Sequence, residues 1–283
     1  MATIDYAKKY SGEVVEKFKE GAKSTALVNN DYDFSGVQSV LVYNTTLPQL
    51  NDYSRTGSNR FGALEELSAT KEEMKMTQEK SFTFVIDHSD TDETQGALNA
   101  GKALARTIKE VIVPELDSYR FNVMATNAHT QMEETITKAN IYEVVTEATE
   151  KLDDLEIPES GRTFVCNPRV YKLIKQCPDI ILEGDNLSKA QRDAGVIGVI
   201  DGMQIVKVPT VRLPENCEFI VSHALATTAP VKLATYRILT EVQGVHGAVA
   251  EGLVYHDAFV LEERKKMIVV CNKPAELKAK KLK

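Results

Sequence analysis

Residues 80–128 read KSFTFVIDHSDTDETQGALNAGKALARTIKEVIVPELDSYRFNVMATNA, a strand pattern that passes through an acidic turn into the longest helical pattern of the chain. In its first part Phe82, Phe84 and Ile86 alternate with Ser81, Thr83 and Val85, the period-2 signature of a strand with one buried face. Asp92 and Gln95 have the spacing of a capping box, and Asp90 and Glu93 add carboxylates at the positive end of the helix dipole. From there Leu104, Ile108, Val111, Ile112, Leu116, Tyr119 and Val123 recur at helical spacing and form one apolar stripe. Pro114 interrupts it. A proline inside a helix costs about 3 kcal/mol and kinks or splits it, so the pattern predicts one long kinked helix over residues 96–127 that keeps its bend for a reason.

Upstream of this stretch the chain does not read as a compact body. Residues 3–23 carry Tyr10, Val14, Phe18 and Ala22 four apart, with Lys and Glu between them: an amphipathic helix too short to be stable alone. Its polar face mixes acids and bases, which suits a protein partner better than a membrane surface. Residues 23–35, with Asn29, Asn30, Asp31 and Asp33, read as an extended connector, so the helix behaves as an arm. Residues 37–44, VQSVLVYN, are strand-like by β-branched content, with the run from about residue 74 to 87 as the expected partner. Between them Pro48, Gly57, Asn59 and Gly62 punctuate a segment too long for a structureless loop in a compact domain. It reads as the tip of a long hairpin. A two-stranded hairpin is marginal alone in water, so the projection needs another subunit to lie on.

Downstream, Asn140 and Glu143 form a second capping-box pattern before Ile141, Val144, Val145, Ala148, Leu152 and Leu155, an amphipathic helix that ends before Pro158. The strand TFVC comes next, then Asn167 and Pro168 as N-cap and first helical position of a helix stopped by Pro178. GVIGVI and MQIVKV flank Asp201-Gly202, a two-residue hairpin turn. Residues 219–221, 231–238, 253–261 and 267–271 read as strands, the last two joined by the charged turn EERK, and the tail ELKAKKLK is basic. Strands and helices mix without β-α-β alternation, which places the chain in the α+β class.

The composition bounds the function. With 283 residues, 43% hydrophobic and 27% charged, the chain fills one large core or two packed domains. A net charge of −7 argues against a protein built to grip nucleic acid. The four cysteines, Cys166, Cys177, Cys217 and Cys271, lie far apart and read as reduced buried thiols. The opening MATIDYAKKY has no signal-peptide pattern, so a cytoplasmic site of synthesis is expected. No catalytic constellation emerges. Gly195, Gly198 and Gly202 match no nucleotide loop and serve a hairpin instead. His88, His129, His223, His246 and His256 are dispersed, without metal-ligand spacing. Cys166 has no base beside it in sequence, and Ser222 and His223, adjacent on a strand, point to opposite faces. The acidic pairs Glu65-Glu66, Glu72-Glu73 and Asp153-Asp154, and the tail lysines Lys278, Lys280, Lys281 and Lys283, read as solvated surface. No cofactor and no metal are expected.

Five stretches share a pattern with a known family: SFTFVIDHSD (81–90) leading into IVPELDSYRF (112–121); NIYEVVTEATEKLDDLEIPESGRTFVCNPRVYKLI (140–174); GVIGVIDGMQIVKVP (195–209); and HGAVAEGLVYHDAFVLEERKKMIVV (246–270). In this order they resemble the tailed-bacteriophage major capsid proteins of the Hong Kong 97-type fold. The resemblance implies an N-terminal arm over residues 1–35, an extended hairpin loop over 36–90 lying on a neighbouring subunit, and a spine helix with part of the peripheral domain over 91–131. It further implies an axial domain over 132–230, return strands over 231–273 and a basic tail over 274–283. Candidate assembly residues are then Tyr10, Val14 and Phe18 in the arm, Arg55, Arg60, Phe61, Glu65 and Glu66 in the loop, and Pro114 at the helix bend. The implied function is structural: self-assembly through pentamers and hexamers into an icosahedral head enclosing double-stranded DNA, without sequence-specific binding or a membrane, in the host cytoplasm. A portal and a separate scaffold, or prior processing, are expected because the chain opens almost directly on the arm. Cross-linking lysines are not assigned, since Lys71, Lys75 and Lys80 fit any solvated loop. Two alternatives stand beside this one: an encapsulin-like shell around a cargo enzyme, and a cytosolic enzyme using Cys166 or a histidine.

Overall fold

The computed structural model describes residues 21–29, 31–34, 38–45, 50–56, 60–62, 66, 68–87, 100–177, 196–239, 242–244 and 246–274. Its strands, in chain order, are β1 (Val28–Asn29), β2 (Ser39–Thr45), β3 (Ala69–Lys75), β4 (Gln78–Asp87), β5 (Thr130–Glu133), β6 (Arg162–Cys166), β7 (Val196–Ile200), β8 (Met203–Lys207), β9 (Cys217–His223), β10 (Thr227–Thr228), β11 (Val231–Leu239), β12 (Gly247–His256), β13 (Phe259–Val260) and β14 (Ile268–Asn272). The helices are α1 (Ala100–Thr107), α2 (Val113–Asn127), α3 (Ile141–Asp153) and α4 (Pro168–Gln176). Two compact units result: residues 32–76, and a body made of the rest.

The body is built around a six-stranded sheet of order β5-β14-β9-β6-β8-β7. Its central strands β6, β9 and β14 are almost wholly buried, because both faces are covered, and their sequences are near-continuous apolar runs for that reason. Alternation then sorts the side chains. Phe164, Cys166, Phe219, Val221, Val269 and Cys271 pack with Ile141, Val145, Leu152, Val170 and Ile174 of α3 and α4. Val165, Ile220, Ile268 and Val270 face the other way, onto Phe121 and Met124 of α2. A second sheet, β11-β12-β4, turns Phe82, Phe84, Val254 and Ile238 toward Leu104, Ile108, Ile112, Val113 and Leu116. The long helix therefore spans both sheets. A small third sheet, β1-β10-β13, completes the body.

The helix runs unbroken through the described residues from Ala100 to Asn127, but residues Ile108–Ile112 form a π turn between α1 and α2. Val113 donates its N–H to the Ile108 carbonyl five residues back, and Pro114, which has no N–H, comes directly after it in the first turn of α2. The one extra residue rotates the C-terminal part of the helix by roughly 100°. The expected apolar stripe is corrected accordingly. Val111 points outward and is 61% exposed, whereas Val113, Phe121 and Met124 enter the core. The expected start of this helix, with Asp90, Asp92, Glu93, Gln95 and Gly96, lies outside the described residues, as do residues 1–20 and 275–283.

Four further expectations change. The run from 74 to 87 is two strands, broken at Met76 and Thr77: β3 alone pairs with β2, Ser39 opposite Lys75 and Thr45 opposite Ala69. β4 instead pairs along its whole length with β12, from Gln78 opposite His256 to Asp87 opposite Gly247. The cause is local. Thr77 donates its N–H to Asp257 Oδ2 at 2.8 Å, so a carboxylate takes the bond a strand would have taken. Second, residues 23–29 are no free connector. Lys23–Leu27 is a 3-10 helix with Leu27 fully buried, and β1 pairs in parallel with β10. Third, Asn140 does not cap α3. Its Oδ1 accepts from Thr137 N at 2.7 Å and Thr137 Oγ1 at 2.9 Å, tying down the preceding loop. Fourth, the expected strand over 253–261 stops at His256 and resumes only as β13, and Glu262–Met267 is a 3-10 helix. The other local signals hold. Asn167 Oδ1 accepts from Val170 N at 2.8 Å at the start of α4, and β7 and β8 meet at Asp201 and Gly202, with φ of 48° and 72°, the left-handed pair a type I′ turn requires.

Candidate functional site

In the smaller unit β2 and β3 form a two-stranded ribbon. Beyond the strands, Ser54 donates its N–H to the Arg60 carbonyl at 3.0 Å, and Tyr53 meets Phe61 edge-on with ring centroids 5.1 Å apart. Gly62 adopts φ +90° against Asn51, where a Cβ would come within 2.7 Å of the Asn51 side chain. Among the described residues of this unit five large apolar side chains are exposed: Leu41, Tyr43, Leu50, Tyr53 and Phe61, the last at 84%. An isolated ribbon has little interior in which to hide them. Of the residues singled out from sequence, Arg55, Arg60, Phe61 and Glu66 lie exposed on this unit, while Glu65 falls outside the described residues, as do Tyr10, Val14 and Phe18. Pro114 is half-buried on the body.

The residues the structure gathers are ones the sequence pattern passes over. On α2, one turn beyond the π turn, Asp117 is completely buried and accepts from Lys23 N at 3.0 Å, Ser24 N at 3.0 Å, Ser24 Oγ at 2.7 Å and Arg212 Nη1 at 2.9 Å. Arg120, three residues on, donates to Ser24 Oγ at 2.9 Å and to the Ala229 carbonyl at 3.3 Å. Tyr119 donates its hydroxyl to Asp257 Oδ1 at 2.6 Å, and Asp257 Oδ2 accepts from both Thr77 N and Thr77 Oγ1. Burial and then Asp257 hold the Tyr119 hydroxyl well above its ordinary value, so it remains a donor. His256 meets the Tyr119 ring at 5.3 Å. Burial first, then Arg120, push its imidazole down to about 4. The available signal was an Asp and an Arg spaced i, i+3 beside Leu116 and Phe121 on the apolar side of a helix, where charge requires partners.

Cys166 and the Ser222–His223 pair, considered for catalysis from the sequence, are held within the fold. Burial pushes the thiols of Cys166, Cys217 and Cys271 up to about 12, far from a nucleophilic thiolate at neutral pH. Ser222 donates its hydroxyl to the His223 carbonyl at 3.3 Å. The His223 ring bonds the Ser160 carbonyl at 2.9 Å through Nε2 and accepts from Leu225 N through Nδ1, which leaves neither nitrogen to act on Ser222. Among the described residues no group of three His, Cys, Asp or Glu could hold a metal ion, and no helix is long and apolar enough to cross a membrane.

No protein-family model and no curated protein sequence matches the chain. Solved structures do. A structure from Mycobacterium phage Che8 superposes with a TM-score of 0.68 at 21% identity, covering 87% of this chain and 89% of that one. The mature capsid of bacteriophage PhiM1 gives 0.64 at 10% identity, covering 87% and 83%. The fold is that of a phage capsid protein. A crystal structure of a virus-like particle from Pyrococcus furiosus gives 0.58 at 12% identity and covers 95% of this chain and 100% of that one. Identities this low establish architecture alone.

Proposed function

We propose that this chain is the major capsid protein of a tailed bacteriophage, assembling through pentamers and hexamers into an icosahedral head that encloses double-stranded DNA. The observation that carries the reading is the ribbon of residues 32–76, which exposes five large apolar side chains on an element too thin to shelter them. A partner subunit is the natural cover. In this reading residues 36–90 supply the extended loop, the long helix is the spine, residues 132–230 form the axial domain and the late strands the peripheral one. Assembly takes place in the host cytoplasm, with a scaffold and a portal. The net charge of −7 suits a wall along which DNA must slide, because repulsion keeps phosphates from sticking.

Expressed alone or with its scaffold, the protein should sediment as capsomers or shells and show closed particles by negative-stain microscopy. A subunit that stays monomeric in both conditions would overturn the proposal. The full coverage of the Pyrococcus furiosus particle protein favours one other reading, a shell that holds protein cargo and no genome. Particles from the native source decide between them: packaged DNA supports the phage head, and a co-purifying enzyme with no DNA supports the compartment.

A further inference from the structure

The two stretches by which the chain leaves the body for residues 32–76 and returns to it are both held by one turn of α2. On the leaving side, Lys23 N, Ser24 N and Ser24 Oγ donate to Asp117, and Arg120 donates to Ser24 Oγ. A few residues on, Asn29 Nδ2 donates to the Ala224 carbonyl at 3.1 Å, Thr228 Oγ1 donates to Asn29 Oδ1 at 2.8 Å, and Ala229 N donates to the Asn29 carbonyl at 3.2 Å. On the returning side, Thr77 is the first residue of the body. Its N–H and hydroxyl both donate to Asp257, whose other oxygen accepts from Tyr119 at 2.6 Å and from Ala258 N at 2.8 Å. Asp117, Tyr119 and Arg120 therefore act within four residues of one helix on both attachment points.

Ordinary packing explains this poorly. Burying two carboxylates and a guanidinium is expensive unless each is fully bonded, and apolar residues of similar volume would stabilise the helix as well or better. Such groups provide geometry instead, since a carboxylate with three or four donors holds them in a defined direction. The cluster also begins one turn after the π turn, where the helix register is reset. From these observations we infer that Asp117, Tyr119, Arg120 and Asp257 form a clamp that holds, on the spine helix, the two body segments flanking residues 32–76, and that closed shells require both segments to be held. They are positioning residues, and the inference rests on the capsid reading for its consequence but not for its geometry.

Two measurements separate the clamp from that reading. In the unassembled wild-type subunit, the amides of Lys23, Ser24 and Thr77 should exchange with solvent as slowly as core amides of β6 and β9. Exchange at the rate of open loops would refute the clamp, whatever the protein assembles into. In the second, Ser24→Ala combined with Tyr119→Phe removes two hydroxyls and leaves the ring packing in place. Cleavage within residues 32–76 by a protease at low concentration should rise about ten-fold, and closed shells should be replaced by open or irregular ones. Thr149→Val, which removes a buried hydroxyl bonded to the Val145 carbonyl of its own helix, should change neither. If the double variant matches wild type in both assays, or if Thr149→Val reproduces its effect, the clamp is wrong while the capsid reading stands. If the double variant does not fold, the wild-type exchange pattern alone decides.

Discussion

His256 lies against the Tyr119 ring, and burial first, then the Arg120 charge, hold its imidazole at about 4 against an ordinary 6.5. The folded chain thus binds fewer protons than the unfolded one between these values. Its contribution to stability is complete above about pH 6.5 and is lost as the pH falls toward 4, a loss of about 3 kcal/mol for that separation. Asp257 attracts the imidazolium but is outweighed by burial and by the neighbouring Arg120 cation. Denaturant unfolding of the unassembled subunit at about pH 7 and about pH 4.5 should show the wild type losing more stability than His256→Gln, which has no proton to take up. Equal losses would assign the acid sensitivity to other groups. At this scale the sequence is least informative: His256 reads as one of five dispersed histidines and Tyr119 as part of an apolar stripe, because their partners lie far along the chain. Tyr119 and Asp257 are 138 residues apart.

The elements are legible where their signals are local. Asp201-Gly202 forms its hairpin and Asn167 caps its helix because each needs only its immediate neighbours. Strand pairing is not, since the break at Thr77 depends on a carboxylate 180 residues away. The long helix is half legible. Its C-terminal end at Asn127 and its proline are visible, but a π turn changes register without any residue that announces it, which moves Val111 to solvent and Val113 inward. This bears on Pro114. With the turn already widened ahead of it, the proline costs little of the usual 3 kcal/mol or so, and it prevents the wide turn from closing to a regular one. Pro114→Ala should therefore fold with stability within about 1 kcal/mol of wild type, yet assemble or mature abnormally, because the helix gains access to a second register. Normal shells from the variant, by microscopy and by thermal release of their contents, would show that the bend has no assembly role.

Across the molecule, the class is legible from pattern and resemblance together, and so is a projecting hairpin, but its bounds are not: the pattern expects it over residues 36–90, whereas the structure sets apart residues 32–76 and pairs β4 with β12 of the body. In the proposed reading that division separates the part that folds the subunit from the part that joins subunits, and Phe61 tests the separation. It is 84% exposed, and its ring meets Tyr53, itself exposed, in the same unit. The three apolar clusters of the core include neither ring. Phe61→Asp should then leave unfolding of the free subunit within about 0.5 kcal/mol of wild type, as surface changes do. In a shell the same ring would be covered, and a carboxylate placed there loses solvation without gaining a partner, at a cost of a few kcal/mol per subunit. Multiplied over every copy in a closed particle, even a small penalty stops assembly. Sedimentation of the variant with its scaffold should show capsomers or free subunits and no shells. Shells at wild-type yield would mean that the ribbon's apolar face stays open to water, and the case for its lying on a neighbouring subunit would fail with it.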